Sequence, residues 1–153
     1  MNINMKYNLR ILCIIGGVLS GFFLWFIYRP VEIFAVHGDG NYSYVLVKGF
    51  PITDRGKISW WLKNKDLIGK CYNIPKPAGY GSYNVTFWDF GDGYKEDKYD
   101  MLCFDDMPTK VNCIDKTPLF TVKRFGYESE IFITYEGRYK FSDAGKIIKV
   151  RRE

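Results

Sequence analysis

The side chains with the widest chemical reach in this chain are few and lie far apart. His37 is the only histidine, and Cys71, Cys103 and Cys113 are the cysteines beyond the apolar N-terminal stretch. Two Gly-Asp-Gly runs carry Asp39 and Asp92. A Cys–His or Ser–His nucleophile would have to use His37, within His37-Gly38-Asp39-Gly40-Asn41, which reads as a hairpin turn. Zinc is a poor reading, because one histidine and no paired Cys-x-x-Cys knuckle do not complete a tetrahedral site. Asp39, Asp89 and Asp92 offer oxygen ligands to calcium. The alternating acidic residues of an EF-hand loop are missing, however, and Asp-Gly commonly makes turns. Asp105 and Asp106 leave room for a two-carboxylate hydrolase, but nothing singles out a pair. No catalytic residue, metal or cofactor is assigned, and the expectation is a protein that is not an enzyme.

Cys103 and Cys113 flank a short polar loop. A disulfide between them would be worth about 2–3 kcal/mol in the chain-entropy model, and it is a better reading than free thiols or a metal site. Cys71 is then left free, expected to be buried at a helix end.

Aromatic residues make up 18% of the chain, more than a core of this size commonly needs. Trp60 and Trp61 are adjacent on a predicted helix and point about 100° apart, so they are not expected to be equally buried. Phe87 and Trp88 face opposite sides of a predicted strand. Exposed aromatics beside carboxylates make a protein-binding surface, with aromatics supplying energy and charges guiding approach. The contact candidates are Trp60, Trp61, Trp88, Asp89, Asp92, Tyr94, Asp105 and Asp106. The alternative is that a helix and a two-faced sheet bury the aromatics.

The elements that must position these residues are legible in outline. Residues 31–36 and 42–48 are β-rich runs around a turn, a hairpin signal. Pro51-Ile52-Thr53-Asp54 opens the main soluble helix, with Thr53 or Asp54 as cap and Ile58, Trp61, Leu62 and Ile68 as its apolar face. It is expected to stop before Asn73-Ile74-Pro75. A strand over residues 83–90 turns at Gly91-Asp92-Gly93, and a more polar strand or loop runs to Phe104. Four short β-rich runs follow at 119–125, 130–135, 138–141 and 146–150. The fold class is α+β: a small antiparallel sheet in meander order with one main helix packed on it, behind an N-terminal transmembrane helix.

That helix comes from residues 11–28, which open on Ile11, close on Tyr28 and contain no charge. At ~1.5 Å per residue they span about 27 Å, enough for a thin bilayer core. A signal peptide is the competing reading, but bulky aromatics, Arg29 and Pro30 occupy the cleavage region. Lys6 and Arg10 in the N-terminal flank favour a cytoplasmic N-terminus, and Trp25 and Tyr28 suit an interfacial belt. The expected arrangement is a single pass through a bacterial inner membrane, with residues 1–29 as stub and anchor and residues 30–153 as one periplasmic domain close to the bilayer. Gly16 with Ser20, and Gly17 with Gly21, offer a homodimer seam in the anchor. Three of the 22 basic residues belong to the anchor region, leaving 19 against 17 acidic ones in the domain. That mixed charge argues against nucleic acid as a partner. The locally basic end, residues 146–152, reads as a strand with one polar face.

The run at residues 36–47, the run at 51–62 with its Ser59-Trp60-Trp61-Leu62, and the segment Phe87-Trp88-Asp89-Phe90-Gly91-Asp92-Gly93-Tyr94 resemble an enterobacterial membrane-protein family grouped as domain of unknown function 943. Cys103-Phe104-Asp105-Asp106-Met107 extends the likeness over nearly the whole chain. The resemblance implies an anchored extracytoplasmic domain and carries no catalytic motif. It further suggests an immunity protein that neutralises a secreted antibacterial toxin. An accessory or sensor subunit of an envelope complex is the alternative.

Overall fold

The computed structural model describes residues 2–27 and 29–151, with side chains for 7–25 and 29–151. Tyr28, the Lys6 side chain and Arg152, which figure in the expectations above, lie outside the described residues. The chain forms two compact units, Met1–Pro30 and Val31–Glu153. In the first, helix α1 (Asn2–Ile27) runs for 26 residues, starting well before Ile11 because nothing between Asn2 and Arg10 breaks a helix. Its stretch Tyr7–Trp25 is long and apolar enough to cross a membrane. Leu12, Ile14, Val18, Leu19, Phe22 and Phe23 all stand exposed around it, the all-round apolar surface that lipid tolerates and water does not. The Arg29 guanidinium lies 5.7 Å from the Trp25 ring centroid, within cation–π range.

The second unit is built on a seven-stranded sheet. Its strands are β1 (Glu32–Asp39), β2 (Tyr42–Lys48), β3 (Tyr83–Asp89), β7 (Pro118–Arg124), β8 (Ile131–Ile133), β9 (Arg138–Phe141) and β10 (Ile147–Val150), and their spatial order is the order given. β1 and β2 form a hairpin through the two-residue turn Gly40-Asn41, where Gly40 takes φ 57° at little steric cost. The turn is shorter than expected, so His37 belongs to strand β1. β2 and β3 pair in parallel, which corrects the wholly antiparallel meander; the other adjacent pairs are antiparallel. The cause is helix α2 (Asp54–Tyr72), which lies between them in the chain. Its 19 residues carry the chain back along the sheet, and β3 must set off in the direction of β2.

Helix α2 begins and ends for local reasons. The Thr53 hydroxyl accepts from Gly56 N–H at 3.1 Å, and Asn73 closes the last turn in the left-handed conformation, φ 55°. Ile58, Trp61 and Ile68 face the sheet and are buried against Val45, Val47, Val85, Phe87, Phe120 and Phe132. Trp61 is fully buried, and Trp60 is half-buried edge-on to Phe50 and Phe87 at 5.1 and 5.6 Å. Both indoles are thus drawn into the core: Phe50, on the loop before α2, reaches the side of the helix that the sheet leaves open. Cys71, expected to be buried, is exposed: it lies in the last turn of α2, beyond Ile68, the last buried residue of the helix.

The start of α2 is also tied to the far end of the sheet. Asp54 accepts from the hydroxyls of Thr134 at 2.7 Å and Tyr139 at 2.6 Å. This bond, with a smaller contribution from burial, pushes the Tyr139 hydroxyl up to about 12. A raised phenol pKa favours the neutral, hydrogen-bonded form, so its contribution is complete below the ordinary value near 10 and is lost as pH rises from there to about 12. The stability difference between wild type and Tyr139→Phe, measured by denaturant unfolding, should therefore shrink towards zero across that window. Phe87→Ala, which empties the centre of the core, should cost about 3–5 kcal/mol. Leu67→Ala, on the exposed side of α2, should stay within about 0.5 kcal/mol in the same experiment.

Candidate functional site

The opposite face of the sheet is covered by a feature the sequence reading lacked. After β3 the chain turns at Gly91 and Gly93, both at positive φ. It then builds a separate three-stranded sheet from β4 (Lys95–Glu96), β5 (Met101–Cys103) and β6 (Val111–Asp115), in the order β4-β6-β5. Phe104 and Ile114 of this layer are buried against Leu46 of the main sheet, with Ala35, Trp88, Phe90 and Met107 around them. Cys103 and Cys113 lie opposite each other on β5 and β6 and are joined by a disulfide, as the polar loop between them suggested.

A β-bulge in β1, between Ile33 and Ala35, decides which residues of that strand reach the second layer. Strict alternation would put Ile33, Ala35 and His37 on one face. The extra residue instead leaves Ile33 and Val36 on the α2 side and sends Ala35 and His37 to the other. His37 is thereby buried to 8% exposure and stacked on the Phe104 ring, centroids 4.0 Å apart and planes 13° apart. Its Nδ1 lies 2.8 and 3.0 Å from the two carboxylate oxygens of Asp106, and its Nε2 lies 2.7 Å from the Tyr94 hydroxyl. A carboxylate only accepts, so Nδ1 carries a proton and donates to Asp106; in the neutral ring Nε2 is then the acceptor of the Tyr94 hydroxyl. Burial, and then the Asp106 carboxylate, raise the Tyr94 hydroxyl above its ordinary range, which keeps the donor proton in place.

This Asp–His–Tyr chain has the order of a catalytic triad with a phenol in the nucleophile's position. The electrostatics run against that use, since the phenolate is disfavoured. The grooves of about 760 and 700 Å³ beside α2 are lined by other residues. What the chain does mechanically is clear: it joins the hairpin, the link after β3 and the disulfide loop through one ring.

The contact candidates are distributed as follows. Trp61 is withdrawn by complete burial, Trp60 is largely taken up by the α2 core, and Trp88 packs beneath the second layer. Tyr94 and Asp106 are engaged by His37. Asp89 is half-buried at the end of β3, while Asp92 and Asp105 are exposed. Asp92 and Asp115 share Lys95, and Asp100 pairs with Lys116. Asp89, Glu96, Asp97 and Asp105 have no ion-pair partner among the described residues. Asp97 approaches the sulfurs of Cys103 and Cys113, but these are bonded to each other and offer no thiolate to a metal. Asp39 ends β1 on the exposed hairpin tip and belongs to turn chemistry. Residues 89–106 hold seven of the domain's 17 acidic residues and only two of its 19 basic ones. Tyr99, in their midst, is fully exposed.

Fold and site together define a small α+β domain that carries an N-terminal helix fit to anchor it in a membrane. The chain belongs to the family described as Enterobacterial putative membrane protein (DUF943), whose model matches residues 3–151. No curated protein and no solved structure matches the chain. Because the second layer is so thin, its covalent closure should matter. Replacing both Cys103 and Cys113 by Ser should lower stability by about 2–3 kcal/mol, read as a shift in the denaturant midpoint of the oxidised protein.

Proposed function

We propose that this protein is a membrane-anchored protein-binding domain, held on the periplasmic side of the bacterial inner membrane, that acts as an immunity protein against a secreted antibacterial toxin. The observation that carries the reading is the segregation of charge. Residues 89–106 hold seven acidic residues against two basic ones and include the fully exposed Tyr99, while the remainder of the domain is net basic. Such a surface fits a cationic protein, which carboxylates would steer and an aromatic side chain would anchor. Inhibition by occupation needs no catalysis, in keeping with the reading that the protein is not an enzyme. Lys6 and Arg10 before the apolar segment, and a disulfide beyond it, both agree with an outward-facing domain.

A second reading, an accessory or sensor subunit of an envelope complex, draws on the anchor. Gly16, Gly17 and Gly21 have open space around them on α1, and the spacing of Gly17 and Gly21 suits close approach of a second helix.

Growth rescue separates the two. Secreted proteins encoded beside this gene, directed to the periplasm, would be expressed with the anchored protein, with a form retained in the cytosol, and with neither. Rescue by the anchored form alone is the expected result. Rescue by the cytosolic form alone would overturn the topology, and rescue by no form would favour the accessory reading. A rescuing protein carrying Asp97→Lys and Asp105→Lys should lose protection, because like charges would meet across the interface.

A further inference from the structure

We infer that His37 is the positioning residue of the acidic layer: Asp106, His37 and Tyr94 form a latch that fixes the loop between Cys103 and Cys113, so that Asp105 meets a partner in one preformed arrangement. The inference rests on the reading of this layer as the contact surface.

A disulfide fixes the two ends of the loop and leaves its middle free. The middle is held by other means. Phe104 is buried under the His37 ring, Asp106 accepts from His37 Nδ1–H, and Met107 N–H donates to Phe104 C=O at 3.2 Å while its side chain enters the apolar cluster. Asn112 donates to Phe104 C=O at 2.9 Å across the base of the loop. Among the described residues the Asp105 carboxylate has no hydrogen-bond or ion-pair partner, yet both chain neighbours are anchored, so the backbone that presents it is fixed. The latch spans residues 69 and 57 positions apart in sequence, contacts that no local element would keep.

Imidazole suits this task in a way its substitutes do not. It donates from one side of a flat ring and accepts on the other, so it bridges a carboxylate and a phenol while its face stacks on Phe104. A side-chain amide carries donor and acceptor on one carbon and cannot span the two. Holding a loop in its bound shape removes an ordering cost from association, so the latch favours binding without touching the partner.

The geometry also requires a definite tautomer. Full-length protein in detergent, labelled with ¹⁵N-histidine, has a single histidine to observe. In the neutral ring Nδ1 should carry the proton and Nε2 should be bare. Tyr94→Phe should move the Nε2 resonance and leave Nδ1 protonated, whereas Asp106→Ala should release the tautomer. A proton on Nε2 with Nδ1 bare in the wild type, or no response to either change, would overturn the latch. The amides of Phe104 and Met107 should exchange roughly tenfold to hundredfold faster in His37→Ala with the disulfide intact, while that of Val122 should not change. Should His37→Ala fail to fold, Tyr94→Phe serves in its place, with a smaller acceleration. Equal acceleration at Val122 would mean general destabilisation and would count against a positioning role.

A lysine-rich peptide tests the consequence by titration against wild type, His37→Ala and Asp105→Asn. Weaker binding in both variants supports the proposal. Weakening in Asp105→Asn alone overturns it and leaves the acidic surface standing. If neither variant matters, the surface reading falls, and with it the role given to the latch.

Discussion

Everything in the folded domain follows from two strands that are buried on both faces. Val45, Leu46 and Val47 on β2 are each fully inaccessible, and β3 buries Val85 and Phe87 on one side and packs Trp88 on the other. Three successive apolar residues cannot all point one way in a strand, so such a sheet needs a cover on each face. Helix α2 supplies one. The other is a sheet whose strands have two, three and five residues, too small to persist unaided. Its closure by a disulfide, and its attachment through His37, answer that shortage.

The same thinness bears on the surface proposed for contact. The second layer turns Leu102, Phe104, Met107 and Ile114 towards the main sheet and leaves most of its charged residues exposed. Asp92, Asp97, Tyr99 and Asp105 stand exposed at small cost, because exposed ion pairs such as Lys95 with Asp92 contribute little to stability. On the α2 side the situation is reversed. There Trp60, Trp61, Phe50 and Phe87 form a continuous aromatic core, and residues that read as exposed anchors in the sequence are consumed by packing.

Local signals were legible. The hairpin, the Thr53 cap, the end of α2 before Pro75 and the strands β7 to β10 were each announced by turn residues or by periodicity, and these depend only on near neighbours. The pairing of Cys103 with Cys113 was also accessible, since the loop between them is short. What escaped depended on distance. The bulge in β1 leaves no mark in composition, yet it reverses the face of His37. The parallel pairing of β2 and β3 is a consequence of where α2 docks. Trp60 is less buried than Trp61, as their angular offset implied, but its edge-on packing depends on Phe50 arriving from the preceding loop. A lone histidine in an expected hairpin turn was visible, but its partners lie 57 and 69 residues away, and nothing near it pointed to them.

The central claim, that the acidic layer of an anchored domain binds a cationic protein, is tested most directly by site-specific photo-crosslinking in living cells. A photoreactive residue would replace Tyr99 in the full-length protein, with the same probe at Lys70 on the α2 side as the comparison. The account predicts a discrete adduct from position 99 and none from position 70, to a protein whose crosslinked segment is rich in Lys and Arg and which is lost when Asp97 and Asp105 become lysine. An adduct from position 70 alone, or one from position 99 that survives the charge reversal, would contradict it.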